Sequence, residues 1–104
     1  MPEKDHRQHH RVPYFGPARI SWHDEEGTAR FGPAKFLNVS AEGVRIEVAE
    51  TIPVGSHISL RAERISLSGS ATVRNISWRS CKYILGLNLS QTQSAEFLAM
   101  IGVA

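Results

Sequence analysis

With 104 residues, the chain is long enough to bury one compact core and too short for two. Its 41% hydrophobic and 21% charged content excludes a largely disordered tail or a fibrous repeat. A formal net charge of +2 gives no ground for a nucleic-acid coat protein, so where the cations lie matters more than how many there are.

No apolar run approaches bilayer length, so membrane insertion is not expected. The start, Met1-Pro2-Glu3-Lys4-Asp5, is polar and lacks the apolar core of a signal peptide, so the expected location is the cytoplasm. The single cysteine, Cys81, cannot form an intramolecular disulfide, which fits a reducing compartment. It sits between Ser80 and Lys82 near an expected turn, with no neighbouring histidine or acid to make it a nucleophile.

Residues 1–11 contain the stretch Lys4-Asp5-His6-Arg7-Gln8-His9-His10-Arg11, which has no apolar residue and reads as a flexible, mostly cationic arm. The folded domain is expected from Val12-Pro13 to residue 104. Residues 14–22 alternate as a half-buried strand, with Ala18, Ile20 and Trp22 on one face and Arg19 and Ser21 on the other. His23 to Gly27 is a hairpin loop. A second strand runs from about Thr28 to Val39, with Gly32-Pro33 marking an edge or bulge.

Val44, Ile46 and Val48 alternate with Arg45, Glu47 and Ala49 in a third strand. Pro53-Val54-Gly55 is a turn. Ile58, Leu60 and Ala62 define a fourth strand, and Ser68-Gly69 reads as the next turn. Ala71 and Val73 then share one parity, while Ile76 and Trp78 share the other, so a bulge is expected near Arg74-Asn75. Leu85, Leu87 and Leu89 form the last strand. A short helix over about 91–101 follows, with Ser90 and Gln93 at capping-box spacing. Its apolar stripe is Ala95, Phe97, Leu98 and Ile101, and Gly102 is its stop. Six strands and one amphipathic helix imply an all-β fold, a six-stranded antiparallel β-barrel with the helix packed on it.

Two motifs carry chemistry. The first is Arg7-x-x-x-Arg11. Two guanidiniums four residues apart on an arm can close over one polyanion, because arginine's planar fork makes paired bonds to phosphate and to the guanine edge. The same residues also fit a solvated basic tail. The second is Asn38-x-Ser40-x-x-Gly43, at a strand-to-strand turn. It offers short polar groups and a glycine that permits either a positive φ or a close approach. Plain turn chemistry uses the same residues.

Taken together and in this order, the motifs resemble the signature of the PilZ domain family, R-x-x-x-R on an N-terminal arm followed by [D/N]-x-S-x-x-G at a strand junction. Leu85-Gly86-Leu87-Asn88-Leu89 looks like that family's closing strand, with Leu89 where an aromatic is usual. The resemblance covers about residues 5–100 and makes the chain a single-domain member. It implies binding of cyclic di-GMP. Arg7 and Arg11 would meet phosphates and guanine faces or edges, while Asn38, Ser40 and Gly43 would line a guanine pocket. Ligand arrival would order the arm.

Some family members stack a late-strand aromatic on a guanine. Trp78 is the matching candidate, with core burial as the alternative. Arg74, read on the same parity, is a further phosphate contact. Trp22 is assigned to the core. His6 precedes the first arginine, where the family tunes whether one ligand or a stacked pair binds. If histidines take part, binding is tighter near about pH 6 than about pH 8. His6, His9 and His10 lack the converging folded frame of a metal site, so neither metal nor cofactor is expected.

No nucleophile–base pair, P-loop or paired catalytic acids occur, so no enzyme is expected. Asp24-Glu25-Glu26 reads as a solvated hairpin tip. A lone receptor domain must act through an unidentified effector protein. The alternative is a PilZ-fold adaptor that binds partners without nucleotide, although such members usually lose the arginines or the second motif. Sparse lysines and aromatics along the late strands speak against a nucleic-acid polymer as partner.

Overall fold

The computed structural model describes residues 11–102. Six long antiparallel strands close a barrel: β2 (Pro17–His23), β3 (Ala29–Val39), β4 (Gly43–Val48), β5 (His57–Ala62), β6 (Leu67–Arg79) and β7 (Lys82–Leu89). A two-residue pairing, β1 (Val12–Pro13), precedes them, and helix α1 (Ala95–Gly102) ends the chain. Around the barrel the order is β3-β2-β5-β6-β7-β4, and pairing of β4 with β3 closes the ring.

The alternation read from the sequence is the alternation observed. Ala18, Ile20 and Trp22 of β2 are buried, as are Val44, Ile46 and Val48 of β4 and Ile58, Leu60 and Ala62 of β5. They surround Phe36, Val39, Val73 and Leu85 in one continuous core. Burying each large aliphatic or aromatic chain contributes about 1.5–3 kcal/mol, which commits each strand to one register.

β1 and β2 lie on the same side of β3. Val12 pairs with Val39 and Pro13 with Asn38, but Pro17 pairs with Lys35, a slip of one residue. Tyr14 and Gly16 bridge the slip by hydrogen bonds to Leu37 and Phe36. β1 is therefore the start of the first strand, bent at an irregular step. Pro33 falls where β3 has β2 as its only described neighbour, since β4 joins β3 only from Lys35 onward. That agrees with the edge expected there.

The β2–β3 hairpin also forms as read. Asp24 Oδ1 accepts from the Glu26 and Thr28 N–H groups at 3.0 and 2.9 Å, and Gly27 supplies the left-handed residue at φ +83°. Gly55, at φ +94°, serves the Pro53–Ser56 turn. The bulge near Arg74 is present, because Val73 pairs with Leu87 and Asn75 with Gly86.

Two boundaries differ from the sequence reading. Ser68-Gly69 is not a turn but lies inside β6, opposite Arg61 and Leu60. The chain reverses instead in a single 3-10 turn over Glu63–Ile65, closed by Ser66 at φ +54°. Burial of Ile65 and Leu67 on either side of Ser66 outweighs the turn preference of Ser-Gly. The helix begins at Ala95 rather than 91. Ser90 stays with the sheet, its N–H on the Ser70 carbonyl and its hydroxyl 2.7 Å from that of Ser70. Ser94 is the cap in its place, accepting from the Phe97 N–H at 3.0 Å. Ile101 is buried, Phe97 and Leu98 are half-buried against the core, and Ala95 stays exposed.

Candidate functional site

The turn between β3 and β4 is braced from within. Ser40 is buried; its hydroxyl donates to the Gly43 carbonyl and accepts from the Gly43 N–H, both at 3.2 Å. The Ser40 N–H also donates to the Gly43 carbonyl at 2.8 Å. Two further bonds tie the turn to the end of β7 and the chain just after it: the Leu89 N–H reaches the Glu42 carbonyl and the Gln93 N–H the Ala41 carbonyl. Of the two reasons open for Gly43, positive φ does not apply. Close approach does: a Cβ there would lie 2.5 Å from the Leu87 carbonyl oxygen of the neighbouring strand.

This rigid turn fixes Asn38 on the outer wall. The step between Phe36 and Asn38 is a bulge in the β3–β4 ladder, so Asn38 points outward while Phe36 and Val39 stay in the core. Arg11 donates from Nη1 to Asn38 Oδ1 at 2.6 Å. The last residue of the first motif is thus joined to the first residue of the second.

Asn38 is the Cα partner of Arg45, Arg45 of Gly86, and Gly86 of Asn75. These four residues form one transverse row across β3, β4, β7 and β6, roughly 14 Å wide at ordinary strand spacing. Gly86 leaves the row without a side chain at its centre. The Asn75 amide leans into that gap, its Oδ1 2.5 Å from where a Cβ would sit.

Partial burial, and after it the positive charge of Arg45, lower the pKa of Arg11 from its ordinary value. Both causes disfavour charge, yet a guanidinium stays protonated near neutrality. Two cations held beside each other over polar amides make a surface that favours an anion.

A second row lies one step along the same wall. Gly43 is the Cα partner of Asn88, and Asn88 of Thr72. Arg74, thrown outward at the β6 bulge, donates to Asn88 Oδ1 at 3.4 Å, a long contact. Arg74 therefore shares the outer wall with Arg11, Asn38 and Arg45.

Trp78 does not share that parity with Arg74. Past the bulge it falls in line with Ile76 and the inward face, paired with Tyr83. It stays 59% exposed with its ring edge-on to Tyr83 at 4.8 Å, so it is not a core residue. Trp22, by contrast, is in the core. His6 and Arg7 lie outside the described residues, as does the expected arm apart from Arg11.

Arg45, Gly86 and Asn75 were not singled out from sequence as site residues. On their own strands they read as ordinary outward positions. Only the register across three strand pairs reveals them as one row with Asn38.

The sequence pattern of the PilZ domain family matches residues 5–100. The chain belongs to the PilZ family, whose members are generally non-catalytic receptors that typically bind cyclic di-GMP. A comparison with curated proteins finds no match. Among the described residues, no helix is long and apolar enough to cross a membrane.

Proposed function

We propose that this protein is a cyclic di-GMP receptor that orders its N-terminal arm when the ligand arrives and signals to a partner protein. The observation that carries this reading is the Arg11–Asn38 bond beside Arg45. It supports a wall where a phosphate meets two guanidiniums and a guanine meets amide donors and acceptors. Arg7 is assigned to the same ligand by its place in the first motif. Arg74 adds a cation one row away, and Trp78, exposed on the β6–β7 hairpin, is available for stacking. Ser40 and Gly43 act chiefly by holding the turn from which Asn38 projects.

Calorimetric titration of the full chain with cyclic di-GMP, alongside R11A, tests the reading. Saturable binding of micromolar strength or better, weakened about 10- to 100-fold in R11A, is expected, and the inflection gives one ligand or a stacked pair per chain. Folded protein that binds no nucleotide by calorimetry and by a second probe would overturn it and favour the nucleotide-independent adaptor.

A further inference from the structure

The wall formed by β2 and β5 lies across the barrel from the wall of β7 and β4. Arg19 and Arg61 are Cα partners there, both exposed. Like charges directly opposite on paired strands are unfavourable. No described hydrogen bond or ion pair engages either one, nor Arg64 in the following turn. These three arginines border a groove of about 650 Å³ whose apolar side is Phe31, Pro33 and Pro17. Phe31 is 78% exposed, the most exposed of the large apolar side chains.

Next to the arginine pair runs a level row. Phe31 is the Cα partner of Ser21, Ser21 of Ser59, and Ser59 of Ser70. The outward positions of β2 and β5 carry no carboxylate, and Glu63, at the end of the groove, is the one acid lining it.

We propose that this wall docks an acidic segment of a partner protein, an extended stretch that sets carboxylates on Arg19 and Arg61 and an apolar side chain against Phe31 and Pro33. Charge complementarity selects the occupant. An acidic segment removes the repulsion between two opposed guanidiniums and takes bidentate bonds from their forks. A polynucleotide would need a cationic track with several stacking rings. The wall offers one large aromatic ring, Phe31, with only the imidazoles of His23 and His57 further along, and no lysine among the outward positions of β2 and β5.

The test is an amide-shift titration of the isotope-labelled full chain with a short end-capped peptide that carries two glutamates and a phenylalanine at alternate positions with serine between, so that all three face the wall when the peptide is extended. Saturable shifts centred on Arg19, Ser21, Phe31, Ser59 and Arg61 are expected. R19E/R61E and the milder R19Q/R61Q should weaken the peptide by at least about tenfold while leaving the amide spectrum folded and cyclic di-GMP binding unchanged. R61Q alone should raise the melting temperature while weakening the peptide, which a merely structural arginine would not do. No saturable binding, or shifts confined to another wall, would overturn the proposal. So would displacement of the peptide from this wall by an oligothymidylate. Self-association abolished by E25K/E26K would overturn it in favour of a second copy whose acidic hairpin tip occupies the groove.

Discussion

Arg11 and Asn38 stand 27 residues apart in sequence and are joined by a 2.6 Å hydrogen bond. If the guanidinium is held in place before ligand arrives, part of the ordering cost of binding is already met. R11A and N38A should each weaken cyclic di-GMP by about 10- to 100-fold, the worth of a hydrogen bond to a charged group. The double variant should lose less than the product of the two, because one bond is removed in both. Calorimetry on the four proteins of the cycle gives the answer.

Arg45 is expected to act on the ligand as strongly as the signature residues do. R45Q should weaken cyclic di-GMP by about tenfold or more and flatten the dependence of affinity on salt. It should leave thermal stability unchanged or raised, since it removes a like charge from beside Arg11. Titrations at two ionic strengths and a melting curve check both halves.

The two glycines of the site should respond differently to one methyl group. At Gly43 the obstacle is the Leu87 backbone carbonyl, held in the β4–β7 ladder, so G43A should cost about 1–3 kcal/mol. At Gly86 the obstacle is the Asn75 side chain, which can swing away, so G86A should cost less than about 1 kcal/mol while still weakening cyclic di-GMP. Urea unfolding of both variants separates them.

Much of this was open to reading along one strand at a time. Alternation in β2, β4 and β5 was legible, and so was the bulge at Arg74, because a phase change shows within one segment. The start of the helix was not. Ser90 and Gln93 have the spacing of a cap, but Ser90 is already committed to Ser70 across the sheet. The asparagines and Arg45 are a harder case. Their meeting depends on pairing between strands, which local pattern does not encode. Ser40 is of a third kind: its residue type pointed to ligand contact, and the structure adds a bracing role that the sequence did not show, its hydroxyl bonding both backbone groups of Gly43.

The β6–β7 hairpin turns on Ser80 and Cys81, both in the left-handed region at φ +52° and +65°. A two-residue hairpin turn with both φ positive favours Asn-Gly. S80N/C81G should therefore stabilise the protein by about 0.5–1 kcal/mol with nucleotide binding intact. Paired urea curves and titrations test this, and unchanged or reduced stability would count against the turn assignment.

Asp24 gives a pH signature. The Thr28 N–H is the main cause that holds its carboxyl below the ordinary value, with help from Glu26 N–H and Arg30. A carboxyl with a lowered folded pKa binds its proton less readily folded than unfolded. Its contribution is full above the unfolded pKa and fades as pH falls through the folded one. D24N should therefore lose stability relative to the parent at about pH 7, with the gap narrowing toward about pH 3. Melting temperatures across that range decide it.

Among the described residues, β4 closes the barrel seam for only part of its height, and Pro33 lies beyond that part. The bond from Phe36 N–H to the Gly16 carbonyl sets the alternation along β3, so the nitrogen of Pro33 faces away from β2, toward the open edge. An exposed edge is a template on which another chain can add a strand and begin a fibril. Proline removes one donor from the middle of that template, beside the exposed Phe31 that would otherwise make it sticky. The residue that marks an edge in the sequence thus also guards against aggregation, and P33A should shorten the lag before fibrils form under agitation.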